Sequence, residues 1–188
     1  MMMITIQKPS FLLFHILLLF FLPLKITSSS TTTQAEALIK WQNTLSPPPP
    51  PLNSRSLTNL SNLYNWTAIV CHTTGSISEI NLSNANLSGT LTQFNFISFP
   101  TLTSLDLSSN NLCRSIPAAI GNLSKLTYLD LGHNNFEDRI PSELGLCTNL
   151  NMLALAGNNL SGVLPLSLSN LTKITDLPVK INPTKYGI

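Results

Sequence analysis

The side chains best placed to do chemistry are three carboxylates, Glu79, Asp106 and Asp130, with Tyr128 and His133 beside the last of them. Each stands in a short stretch where leucines or isoleucines alternate with polar residues, so each is expected on the outward face of a strand, in one column across a sheet. Such a column would take a Lys, an Arg or a free amine of a peptide through charge-assisted hydrogen bonds, the phenol and imidazole adding contact. Ser78, Asn81, Ser108, Asn151 and Met152 are expected on the same outward face. The alternative is a solvated sheet surface without a ligand, because so few repeats make a shallow face.

Catalysis has no such constellation. His72, His133 and several Ser and Asp residues are present, but no nucleophile and base stand at a recognised spacing, and no Cys/His cluster has metal-ligand spacing. No catalytic residue, metal or cofactor is expected. Charged residues make up 10% of the chain and the formal net charge is +2, so no field argues for nucleic acid as a partner.

The elements that position these side chains are written as one pattern used three times. Leu102, Leu126 and Leu150 each open a unit of 24 residues. Counting from them, offsets 3 and 5 hold Leu105 and Leu107, Leu129 and Leu131, Leu153 and Leu155. Offset 8 holds Asn110, Asn134 and Asn158, and offsets 14 and 15 hold Ile116-Pro117, Ile140-Pro141 and Leu164-Pro165. Further apolar residues stand at offsets 18 and 21. The period-2 leucines predict a short strand per unit, and the recurrent proline excludes a continuous helix. Stacked units would bury the apolar positions at roughly 1.5–3 kcal/mol for each fully buried side chain. The Asn column is expected to satisfy backbone groups of its own and the neighbouring turn, with surface turn formation as the alternative. The spacing is the leucine-rich-repeat signature. It predicts an α/β-type repeat solenoid, a horseshoe arc with a short parallel β-sheet on the concave face and an N-terminal helical cap.

The 188 residues divide accordingly. Residues 1–30 have the n-region, apolar run and small-residue zone of a signal peptide, an uncleaved anchor being the alternative. Residues 31–76 form the cap, with an amphipathic helix from Ala35 to Leu45 that buries Ala35, Leu38, Ile39 and Leu45 and exposes Glu36, Lys40 and Gln42. Pro47 to Pro51 are expected to be extended, as a stiff loop of the cap. Repeats occupy 77–173, as 77–101, 102–125, 126–149 and 150–173, the first irregular with Ala85 at the Asn position; 174–188 is a degenerate fifth unit. Seven sequons, at Asn59, Asn65, Asn81, Asn86, Asn122, Asn159 and Asn170, suit a secreted chain.

From the amino-terminal apolar run through the fourth repeat, the chain resembles the extracellular part of plant leucine-rich-repeat receptor-like kinases. The plant form of the repeat stands intact in Leu160-Ser161-Gly162-Val163-Leu164-Pro165, and the cap resemblance lies around Leu38 to Trp41 and in Asn65-Trp66 through Cys71. The resemblance implies an extracellular peptide or protein ligand and a co-receptor leucine-rich-repeat kinase as partners. It also implies a membrane span and a serine/threonine kinase further along a longer gene product, neither of which has a motif here. Location at the apoplast or the outer face of the plasma membrane follows. A free secreted inhibitor- or co-receptor-type protein, or a non-functional shortened copy, are the alternatives. The family's cap has two cysteines; here Tyr64 stands where the partner of Cys71 belongs and Arg55 where a Trp belongs. Cys113-Arg114 and Glu137-Asp138 replace Ser-Gly in two repeats, and Cys147 replaces a leucine. Cys71 is therefore expected to be unpaired, and Cys147 to be a small buried hydrophobe.

Overall fold

The computed structural model describes residues 26–46 and 68–179. In chain order the strands are β1 (Ile69–Cys71), β2 (Ile77–Asn81), β3 (Ser88–Gly89), β4 (Ser104–Asp106), β5 (Asn111–Arg114), β6 (Tyr128–Asp130), β7 (Asn135–Phe136) and β8 (Met152–Ala154). One sheet has the order β1-β2-β4-β6-β8, and a second, flanking sheet the order β3-β5-β7. Strand β1 pairs antiparallel with β2, and every later neighbour is parallel. The register is strict: Ile80, Leu105, Leu129 and Leu153 face one another and are each fully buried.

The Asn column behaves as its position predicts. Asn110 Oδ1 accepts from the amides of Ala85 and Leu87, while its Nδ2 donates to the carbonyls of Leu82, Leu107 and Ser108. Asn134 Oδ1 accepts from Leu112 N, and its Nδ2 donates to Leu107, Leu131 and Gly132. Asn158 accepts from Phe136 N and donates to Leu131 and Leu155. Each amide thus ties its own turn to the preceding coil, which is why a residue with two donors and an acceptor recurs there.

The prolines sit where the return path begins. Pro117, Pro141 and Pro165 have φ of −66°, −67° and −60°, and each caps a short 3-10 turn: Ala118–Asn122, Ser142–Leu146 and Leu166–Asn170. The first coil has its own turn at Phe96–Ser98. Coils approach closely along this side. A Cβ on Gly121 would lie 2.6 Å from the Glu143 carbonyl oxygen, so no side chain fits between them.

The cap helix, α1, spans Ile26–Gln42 and starts well ahead of the expected Ala35, since the Ser/Thr run before it contains no proline or glycine to stop a helix. Ala35, Leu38 and Trp41 are buried against the first coil. Trp41 donates its indole N–H to the Thr90 carbonyl at 2.8 Å and packs edge-on against Phe94 at 5.0 Å. Gln42, expected on the polar side, is also buried, as is Gln34, whose Oε1 accepts from Ile77 N. The first strand of the repeats is thus tied to the helix by a polar contact that hydrophobic periodicity does not reveal.

Two further expectations need correction. Ser78 does not point outward: β1 covers it, and its hydroxyl donates to the Val70 carbonyl. Leu164 is not buried as Ile116 and Ile140 are; it is 49% exposed against their 3%, because no full coil among the described residues stacks on it. All three cysteines are free thiols, Cys147 fully buried as expected and Cys71 and Cys113 half-buried. Residues 1–25 of the expected signal peptide, Pro47 to Pro51, Arg55, Asn59, Tyr64, Asn65 and the end of the fifth unit lie outside the described residues, while residues 26–30 of that expected segment open α1.

Candidate ligand-binding face

Along each parallel strand, one inward leucine or, in β2, Ile80 stands between two outward residues, and the register sorts the outward residues into two columns. The first runs Glu79, Ser104, Tyr128, Met152; the second runs Asn81, Asp106, Asp130, Ala154. Glu79 therefore does not share a column with the two aspartates, as the sequence reading had it. It is two residues earlier in its strand than the position matching Asp106, and equal parity puts both on one face without putting them in line. Met152, half-buried, is the last strand residue of the Glu79 column and bridges on in parallel to Asp176; Ala154 ends the other among the strands and is buried.

The second column is built by the backbone beyond the strand. Asp106 Oδ1 accepts from both the amide and the hydroxyl of Ser108, at 3.0 and 2.7 Å. Asn81 Oδ1 does the same with Ser83, and Asp130 Oδ1 accepts from Gly132 N at 2.8 Å. These side chains close the turn after each strand, a job short oxygen-bearing side chains do well. Ser108 is thereby a partner of Asp106. Among the described residues only one oxygen of each aspartate is used in this way, so the other remains for a ligand.

His133 lies one residue past that turn, exposed and with φ of +52°, in the same left-handed position as Asn84, Ser109 and Gly157. A Cβ on Gly157 would lie 2.7 Å from its Nδ1, so the imidazole rests against the backbone of the next coil. Its charge reaches Asp130: burial and then Asp106 push the Asp130 carboxyl up, while the Gly132 N–H and His133 hold it down. Burial, then Asp106 and Asp130, also raise the Tyr128 phenol. Tyr128, Asp106, Asp130 and His133 thus form one electrostatic group with net negative character. Glu79 and Asn151 are exposed on the same sheet edge-to-edge surface, outside that group.

Sequence reasoning missed an outward column of four amides at offset 9, Asn86, Asn111, Asn135 and Asn159, all exposed, with Asn111 Nδ2 donating to Asn86 Oδ1 at 3.2 Å. Its signal was the recurrent second Asn after Asn110, Asn134 and Asn158. The described sequons at Asn81, Asn86, Asn122, Asn159 and Asn170 are all exposed, and Asn81 alone stands in a column of the candidate face.

Comparison with known proteins agrees with this architecture. Leucine-rich-repeat family models match residues 76–136 and 149–171. A probable leucine-rich repeat receptor-like protein kinase of Arabidopsis thaliana is 39% identical over 106 residues, which are 52% of this chain but 9% of that protein. The chain thus spans about a tenth of the curated relatives it matches. The BIR2 ectodomain of Arabidopsis thaliana superposes with a TM-score of 0.70 at 30% identity, over 76% of this chain and 77% of that one. The Arabidopsis receptor kinase HAESA, solved with the peptide hormone IDA and the co-receptor SERK1, superposes with a TM-score of 0.62 at 31% identity, over 81% of this chain and 30% of that one. Matched by the leucine-rich-repeat models and superposing on 77% of the BIR2 ectodomain at 30% identity, this chain belongs to the leucine-rich-repeat family, in the form found in the extracellular parts of plant receptor-like kinases.

Proposed function

We propose that this chain is a ligand-perceiving module on the extracellular side of a plant receptor-like serine/threonine kinase, reached through the secretory pathway. Its ligand is a peptide or a protein segment, taken on the parallel-sheet face, with a co-receptor repeat domain completing the complex. The observation that carries this reading is the group Tyr128, Asp106, Asp130 and His133, held by turn geometry and sharing one field. One carboxylate oxygen of each aspartate is fixed by the chain, which orients the other without occupying it. A Lys, Arg or free amine would meet two such oxygens in adjacent coils, and Tyr128 and Met152 supply apolar contact beside them. HAESA, a structural neighbour solved with a peptide hormone and a co-receptor, supports the same class of partner for this chain.

A displayed random-peptide library selected against the secreted chain tests the reading. Enriched peptides are expected to carry a Lys, Arg or free amino terminus and to lose binding to the Asp106→Asn/Asp130→Asn variant. Enrichment of peptides without a cation, or binding indifferent to that variant, would overturn it.

A further inference from the structure

The return side of the coils carries apolar side chains that nothing in the repeat explains. Ile97 is 70% exposed and Leu146 is 60% exposed. Leu146 is the last residue of its 3-10 turn, the place occupied in the preceding coil by Asn122 and in the following coil by Asn170. Gly121 and Gly145 bring these turns together so closely that a Cβ on either would strike the next coil's backbone, at 2.6 and 2.3 Å. The residues that follow the glycines are therefore immediate neighbours in a row. On its other side Asn122 lines a groove between α1 and the first two coils, whose wall includes Ala37, Lys40, Phe96 and Ile97. Asn122 thus sits between the two exposed apolar side chains, and Asn122-Leu123-Ser124 is a sequon.

We propose that Asn122 carries an N-linked glycan whose first sugars lie over Ile97 and Leu146 and close the groove beside α1. In the modification, Asn122 Nδ2 attacks the anomeric carbon of an oligosaccharide borne on a lipid pyrophosphate of the secretory pathway. A C–N bond forms, the C–O bond to the pyrophosphate breaks, the lipid pyrophosphate leaves with the electron pair, and the amide gives up one proton. The fold accommodates this. Asn122 Nδ2 donates one N–H to the Ala119 carbonyl at 2.9 Å, and the secondary amide of a glycosylated Asn keeps one N–H for that bond. The apolar faces and acetyl methyls of the core N-acetylglucosamines then have Ile97 and Leu146 to cover, which removes a sticky patch from the molecule's outer side. The proposal concerns the side away from the candidate ligand face and stands apart from the ligand reading, though it shares the expected secretory leader.

The full chain expressed in a plant secretory host decides it, by peptide mapping and intact mass. The Asn122 peptide is expected to be glycosylated, and Ser124→Ala to lose the mass of one glycan, to bind more of an environment-sensitive apolar dye and to shift toward larger species on size exclusion. Adding Ile97→Ser and Leu146→Ser to Ser124→Ala is expected to reverse the dye binding, or to restore secretion should Ser124→Ala be retained in the cell. An unmodified Asn122 in secreted protein overturns the proposal. A glycan whose loss leaves dye binding unchanged, or a defect that the two serines do not repair, overturns the covering role.

Discussion

Two columns of short amide and carboxylate side chains cross three successive coils each, one inside and one outside, and both accept hydrogen bonds from the backbone. The inner column, Asn110, Asn134 and Asn158, reaches across coils; Asn134 joins two, the preceding one through Leu107 and Leu112 and its own through Leu131 and Gly132. The outer column, Asn81, Asp106 and Asp130, bonds only two residues ahead in its own coil. The inner side chains engage both their amide oxygen and nitrogen with backbone, while the outer aspartates each keep an oxygen in reserve. Repetition of a polar residue therefore has two meanings here: inside it marks joinery between coils, and outside it marks a turn that leaves chemistry available.

The contrast is sharpest in stability. Asn134→Ala leaves the buried Leu112 amide without its acceptor and takes one donor from each of the Leu107, Leu131 and Gly132 carbonyls, which keep Asn110, Asn158 and the Ser109 amide. A buried unsatisfied group costs about 1–3 kcal/mol and each lost hydrogen bond about 0.5–1.5 kcal/mol. A loss of about 3 kcal/mol or more is expected in a denaturant melt, enough to threaten a marginally stable domain. Asp130→Ala removes one partly exposed bond and is expected to cost about 1 kcal/mol. Equal losses for the two variants would break the distinction drawn between the columns.

Much of this was legible in the residues. The 24-residue period carried the parallel strands, the inner Asn column and the outward placement of Asp106, Asp130, Tyr128 and His133, because stacking converts a sequence period into a spatial row. The separation of Glu79 from the aspartates was legible too, from offsets 2 and 4, but parity alone hides it. The flanking sheet was not, since strands of two residues such as Ser88–Gly89 leave no alternation to read. Nor was the burial of Gln34 and Gln42, which depends on a helix meeting the edge of the first coil. The substituted Ser-Gly positions lie between these cases: Gly89 and Gly162 announce a left-handed residue, and Arg114 and Asp138 adopt it without being glycine, at φ of +68° and +67°.

That last point separates outer positions that serve from those that merely persist. A left-handed non-glycine residue costs roughly 1–2 kcal/mol, glycine gives back about 0.4–1 kcal/mol through the freer unfolded chain, and the Arg114–Glu137 contact at 3.5 Å joins two exposed side chains. An exposed pair of this kind contributes about 0–1 kcal/mol. The sum predicts that Arg114→Gly stabilises by about 0.5 kcal/mol. Asp138→Gly should gain less, since aspartate tolerates this conformation. A destabilised Arg114→Gly would mean that the arginine is held there by an interaction stronger than its ion pair.

The smallest effect is the most informative about the outer column. Asp106→Asn keeps the oxygen that accepts from Ser108, so the turn is preserved, and removes only the charge. That charge is one of the causes raising both the Asp130 carboxyl and the Tyr128 phenol, behind burial in each case. Both titration midpoints, followed by NMR, should therefore fall in the variant while remaining above their ordinary values. The sign carries over to binding. A raised Asp130 keeps its proton to higher pH, so affinity for a cationic ligand should strengthen as pH rises through its midpoint, and in Asp106→Asn that strengthening should move to lower pH while its full extent diminishes. If Asp130 does not move when Asp106 is neutralised, the two aspartates are separate turn closures in neighbouring coils, and the outer column has no common field with which to recognise a cation.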